Sequence, residues 1–126
     1  ALRSAIEPAS SEIFDASGSE TKYAGMGTTV VALVLQGNAG YVAHVGDSRL
    51  YRLRSGGMEQ MTDDHSQVME MVKLGILTRE EAHSHEDKNV ILRAVGTQPS
   101  VEVEILGPFA LEPGDVEVLV ARPCRY

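Results

Sequence analysis

A chain of 126 residues has room for one domain around one core. Its 43% hydrophobic and 23% charged residues are those of an ordinary soluble globular protein, and no apolar run approaches the roughly 20 residues of a membrane span. Eleven basic against 18 acidic residues, net −7, exclude a nucleic-acid surface, which needs clustered Lys and Arg.

Residues 1–16 place Leu2, Ala5, Ile6, Ala9, Ile13 and Phe14 three and four apart, which predicts an amphipathic helix. Pro8 disfavours a helix interior by about 3 kcal/mol, so the helix is expected to kink there or to begin near Glu7-Pro8. Arg3, Glu7 and Glu12 interrupt the apolar positions, unlike a secretory signal core. Ser17–Lys22 reads as a polar loop. From Thr28 to Leu35 the β-branched and aliphatic run predicts a central strand buried on both faces.

The stretch Tyr41–Arg54 holds two strand-like runs hinged on Gly46-Asp47-Ser48-Arg49, and Ser55-Gly56-Gly57 turns into Met58–Met61. The expected arrangement is a meander of antiparallel strands. Past Thr62 the period changes to about 3.6. Val68, Met71, Val72 and Leu74 then share one face of a helix that starts at Asp64 or Ser66 and ends at Gly75. Thr78 with Glu81 forms a capping-box pattern for a second short helix, and residues 83–88 form a polar loop. Asn89–Val95 fits strand or helix equally. Val101–Phe109 alternates as an edge-type strand, and Glu112–Asp115 turns into a last strand, Val116–Val120. The single cysteine, Cys124, permits no intrachain disulfide, which fits a reducing compartment and predicts a cytoplasmic location.

Among candidate chemical groups, Asp47 stands at a strand end beside a glycine, where a hard dication such as Mn²⁺ or Mg²⁺ could be reached, although spacing alone favours an Asp that bonds turn N–H groups. Ser48 and Arg49 follow it directly. Asp64 and His65 could join Asp47 as ligands, while Asp63 and Asp64 also suit a helix N-terminus. His83 and His85 lack a third zinc-like partner and read as a solvated loop. Alternation leaves the orientation of His44 open, with a hydrogen-bonded core histidine as the default. Ser48 is in no Gly-x-Ser-x-Gly setting and Cys124 lies near the end of the chain, so covalent catalysis has no support.

Residues 25–29 (GMGTT), 42–54 (VAHVGDSRLYRLR), 61–66 (MTDDHS), 75–82 (GILTREEA) and 111–115 (LEPGD) occur in the order found in the PP2C-type (PPM) metal-dependent protein serine/threonine phosphatases. The chain resembles this family, in particular its compact bacterial members, from about residue 1 to 120. The resemblance implies an α+β fold, a PP2C-like antiparallel β-sandwich with flanking helices. It further implies a binuclear Mn²⁺ or Mg²⁺ centre whose bridging water attacks phosphorus directly, and a phosphoprotein substrate. By the same resemblance Asp47 serves a peripheral metal, with Ser48, Arg49, Asp64 and His65 as auxiliary candidates, and Gly75 to Asn89, including Thr78, forms a mobile flap.

Two departures bear on activity. The family's Asp-Gly-x-Gly-Gly motif has no counterpart; Ala24 stands where its Asp would be in the superficially similar Ala24-Gly25-Met26-Gly27. Arg122, within Ala121-Arg122-Pro123, takes the place of a metal-binding carboxylate, repelling a dication by about 1 kcal/mol even in a water-like dielectric. Residues 1–126 are therefore expected to form a single truncated PP2C-like domain, impaired or inactive as this chain. The alternatives are a non-catalytic interaction or scaffold domain, or a weak metal-assisted hydrolase built on Asp47 and nearby Asp and His. Missing strands would expose sheet edges and favour a homodimer or a strand-swapped assembly.

Overall fold

A computed structural model describes residues 1–122. Helix α1 (Leu2–Ser19) is followed by a 3-10 turn at Thr21–Tyr23 and then by strands β1 (Val30–Gln36), β2 (Ala39–Val45), β3 (Arg49–Arg54) and β4 (Gly57–Gln60). Helices α2 (Gln67–Lys73) and α3 (Arg79–Ser84) precede the last two strands, β5 (Glu104–Ala110) and β6 (Val116–Val120). Cys124 and Pro123 lie outside the described residues.

The strands form two antiparallel sheets, ordered β1-β2-β5 and β4-β3-β6. This gives the expected α+β architecture but corrects the meander. The segment 41–54 is a passage from one sheet to the other, because β2 and β3 do not pair. The long apolar run of β1 is also not central: β1 pairs only with β2 among the described residues, and Val34 and Leu35 are exposed. The strand buried on both faces is β2, where Val42, Ala43, His44 and Val45 are fully buried. An apolar run reports what a strand tolerates, whereas its neighbours decide what it receives.

Helix α1 covers one face of the β1-β2-β5 sheet, with Ile6 packed into a core of Ala43, Val45, Val95 and Val103. The helix runs through Pro8 rather than starting there. The lost backbone bond is offset by the turns on either side, where Ile6 and Ser10 are buried and Ser10 Oγ accepts the Gly96 N–H at 2.9 Å. Gly96 must be glycine in this position: at φ 92° a Cβ would lie 2.1 Å from Ile13 Cγ2. Residues 89–95 are neither strand nor helix. Two isolated bridges, Ser66 with Ile91 and Thr28 with Val95, tether them across the loops.

Candidate functional site at the sheet crossing

Three residues, Gly46-Asp47-Ser48, carry the chain between the sheets, and His65 holds the crossing by two bonds. The Gly46 N–H donates to His65 Nδ1 at 3.0 Å, and the His65 backbone N–H donates to the Gly46 carbonyl at 3.0 Å. Ser48 Oγ lies 2.7 Å from Thr29 Oγ1, so its hydroxyl is spent on fixing the start of β1. Asp47 is buried, its Oδ1 has no hydrogen-bond partner, and its Oδ2 stands 3.9 Å from Arg122 Nε. Burial pushes the Asp47 carboxyl above the ordinary carboxylate range, and the Arg122 charge only partly opposes this.

Arg49, the first residue of β3, makes a two-pronged bond to Asp64: Nε donates to Oδ1 at 2.9 Å and Nη2 to Oδ2 at 2.6 Å. Nη1 donates to the Tyr51 hydroxyl at 2.9 Å, and this set of acceptors raises the Arg49 pKa further. Asp64 therefore does not cap α2. Ser66 does, accepting the Met69 N–H at 3.3 Å, because Asp64 lies two residues too early and meets the half-buried Arg49 guanidinium instead. Arg122 Nη1 adds a longer contact of 3.4 Å to Asp64 Oδ2.

Beneath the crossing, His44 and Glu104 are cross-strand partners on β2 and β5, and the rings of His44 and His65 stack at 4.4 Å with 12° between planes. His65 Nε2 lies 2.7 Å from Glu104 Oε2. Since Nδ1 already accepts from Gly46, the proton of the neutral ring sits on Nε2 and is donated to that carboxylate. His44 is a core histidine, but not the hydrogen-bonded one expected. Its Nε2 is 3.1 Å from Glu104 Oε2 without the alignment of a hydrogen bond, its Nδ1 has no partner, and its ring stacks on His65. Burial and the neighbouring His65 lower its pKa, with Glu104 opposing. Glu104 itself is pushed up by burial, but the His65 bond and both imidazoles outweigh this and hold it below the usual range.

Among the described residues, His44, His65 and Glu104 form a group whose possible metal-donor atoms all lie within 4.8 Å of one another. They do not suit a metal as arranged. An imidazole binds a metal in its own ring plane about 2.0–2.1 Å from nitrogen, and two nearly parallel stacked planes share no such point. Sequence reasoning missed Glu104 because a Glu in an alternating strand reads as the wet face. The available signal was a histidine inside the apolar run of β2, which needs a polar partner across the sheet.

A cleft of about 800 Å³ opens at the crossing, lined by Asp47, Arg49, Asp64 and Arg122 and also by Arg79, His83 and Asn89. Of the residues expected to form a flap, Asn89 lines the cleft, whereas Gly75 and Thr78 do not. Gly75 closes α2 at φ 77°, and Thr78 caps α3 in a capping box with Glu81. The residues present do not fit a two-cation centre. A hard dication takes about six oxygen ligands, while of the two carboxylates lining the cleft among the described residues Asp64 has both oxygens engaged by guanidinium groups and only Asp47 keeps an oxygen without a hydrogen-bond partner. Two carboxylates face two guanidinium groups here, leaving no net negative charge to draw in a cation.

The fold recurs in known proteins. Residues 1–70 match the Protein phosphatase 2C family. The Serine/threonine phosphatase stp of Listeria monocytogenes is 41% identical over 103 residues, 82% of this chain and 41% of that protein. The structure of the S. agalactiae serine/threonine phosphatase superimposes with a TM-score of 0.85 at 42% identity, covering 94% of this chain and 48% of that one. The catalytic domain of PstP in complex with two manganese ions superimposes at 0.74 with 32% identity, over 94% and 48% of the respective chains. The chain thus spans about half the length of the relatives it matches. With sequence and sandwich in agreement over most of these residues, the chain belongs to the protein phosphatase 2C family.

Proposed function

We propose that this chain is the central portion of a metal-dependent protein serine/threonine phosphatase domain. It supplies the sheet crossing, the peripheral carboxylate Asp47 and the flap-like segment from Gly75 to Asn89, and residues 1–126 alone do not hydrolyse phosphomonoesters efficiently. The intact activity would act on phosphoproteins in the cytoplasm with Mn²⁺ or Mg²⁺, the former being the ion bound by the PstP relative. The observation that carries the reading is the charge-neutral cluster of Asp47, Asp64, Arg49 and Arg122 at the cleft. A two-metal phosphatase concentrates uncompensated carboxylates at that point instead. The expected result with p-nitrophenyl phosphate and Mn²⁺ is turnover at background. Turnover comparable to that of an intact bacterial relative assayed beside it would refute the proposal.

We further propose that the chain self-associates, as a homodimer or by strand exchange. Strands β1 and β6 each lack a second partner among the described residues. They flank a groove of about 450 Å³ lined by Val30, Val31 and Leu119, and Leu35 and Val116 are more than half exposed. Unpaired edges of this kind invite a strand from another chain, and Lys on an edge discourages it. Light scattering should give a mass above that of one chain, shifting toward the monomer in Val118→Lys. A clean monomer for the unaltered chain at high concentration would count against self-association.

A further inference from the structure

His65 holds the crossing through Nδ1, which can accept the Gly46 N–H only while that nitrogen carries no proton of its own. In the neutral ring the proton must then sit on Nε2, and two side chains contest that nitrogen. Glu104 Oε2 lies 2.7 Å from Nε2 and Arg93 Nη1 lies 3.4 Å from it. A carboxylate only accepts and a guanidinium only donates, so one neutral imidazole cannot bond both through the same atom. The Glu104 bond needs the proton on Nε2 and agrees with the Gly46 bond. The Arg93 bond needs it on Nδ1, where it would point an N–H at the Gly46 N–H and undo the hold on the turn.

We infer that Glu104 is a positioning residue for the crossing: from the first position of β5 it keeps the His65 proton on Nε2 against the pull of Arg93, so that Nδ1 stays free to hold Gly46 and the turn that presents Asp47. Distance ranks the two competitors. The contact to the carboxylate is the shorter by 3.4 against 2.7 Å, as expected of a bond to a charged acceptor, and the Arg93 guanidinium is partly drawn off by Glu102, 3.6 Å from its Nη2. His44 completes the arrangement. Fully buried and stacked at 4.4 Å, it leaves the His65 ring no room to swing its plane away from Gly46 without displacing a core side chain. The turn between the sheets is thus set from the third strand of the first sheet, across the whole width of β2. Until β5 is seated, nothing opposes Arg93.

This role rests on the proposed function only in what Asp47 is for, and it is read from the ring and the turn without any turnover, so the two can fail separately. The nitrogen chemical shifts of the His65 ring and the hydrogen exchange of the Gly46 N–H are followed by NMR in mildly alkaline buffer. The samples are the unaltered chain, Glu104→Ala, and Glu104→Ala combined with Arg93→Leu, with circular dichroism as the check on folding. The unaltered chain should carry the proton on Nε2. Glu104→Ala should move it to Nδ1 and speed Gly46 exchange about 10-fold, the scale of one buried hydrogen bond lost. The double variant should return the proton to Nε2 and slow the exchange again, because Gly46 is then left to choose the tautomer. Both variants lose the same packing at position 104, so a purely structural role would give no such recovery. A proton on Nδ1 in the unaltered chain overturns the inference, and this reading needs no variant to fold. Ring shifts unchanged in Glu104→Ala overturn it as well, as does a double variant that behaves like Glu104→Ala.

Discussion

Gly46→Ala is expected to destabilise the protein by about 2–6 kcal/mol, the sum of roughly 1–3 for forcing a side-chain residue into disfavoured backbone and roughly 1–3 for overpacking. Gly46 has φ 104°, and a Cβ there would lie 2.4 Å from Thr29 Cγ2 and 2.8 Å from Thr29 Cβ. Neither group can move aside. Thr29 is tied through its hydroxyl to Ser48, and Gly46 is tied at both its N–H and its carbonyl to His65. Gly37 supplies the control: it also has positive φ, at 60°, but nothing lies within 4 Å of the point an alanine Cβ would occupy. Gly37→Ala should therefore cost only the backbone term, about 1–2 kcal/mol. Urea denaturation of the two variants decides the matter, and equal losses would show that the crossing is no tighter than an ordinary surface turn.

Arg49→Ala is expected to cost about 3–5 kcal/mol, the usual consequence of leaving one member of a buried pair without its partner. Asp64 would keep a side chain only 6% exposed and lose both short bonds, with Arg122 at 3.4 Å as partial compensation. That residual contact puts the expected loss toward the lower end. The pair is not a net source of stability in proportion to this figure, because desolvating both charges offsets most of their attraction. Exchanging both partners for apolar residues, Arg49→Met with Asp64→Leu, should accordingly be much milder than Arg49→Ala alone. If the double exchange is instead as damaging as the sum of the single ones, the unpaired charge is not the cause of the loss.

The two sites differ in how far the sequence announced them. Gly-Asp-Ser-Arg between two alternating runs marks the crossing, and the three- and four-residue spacing of Leu2, Ile6 and Ile13 marks α1. The destination of the second run was not legible. A turn between strands reads the same whether the next strand pairs with the last one or departs to another sheet, and partners such as β6 for β3 lie more than 60 positions away. The bidentate grip of Arg49 on Asp64, 15 residues apart, was hidden for a related reason: Asp63-Asp64 just ahead of a helical pattern fits a cap locally, and only the folded loop brings the guanidinium in. Residues 89–95 carry Val and Ile without forming an element, because two isolated bridges satisfy them where a ladder would ordinarily be needed.

The order of threading has a consequence for how the molecule comes apart. Each sheet consists of two strands adjacent in sequence and one drawn from the last quarter of the described chain: β1 and β2 take β5, β3 and β4 take β6. Because the late strands alternate between sheets, neither sheet can release its third member without pulling on the segment that supplies the other. Melting is then one concerted event rather than the loss of layers in turn, so damage at a single turn such as Gly46 is felt as lost stability of the whole domain.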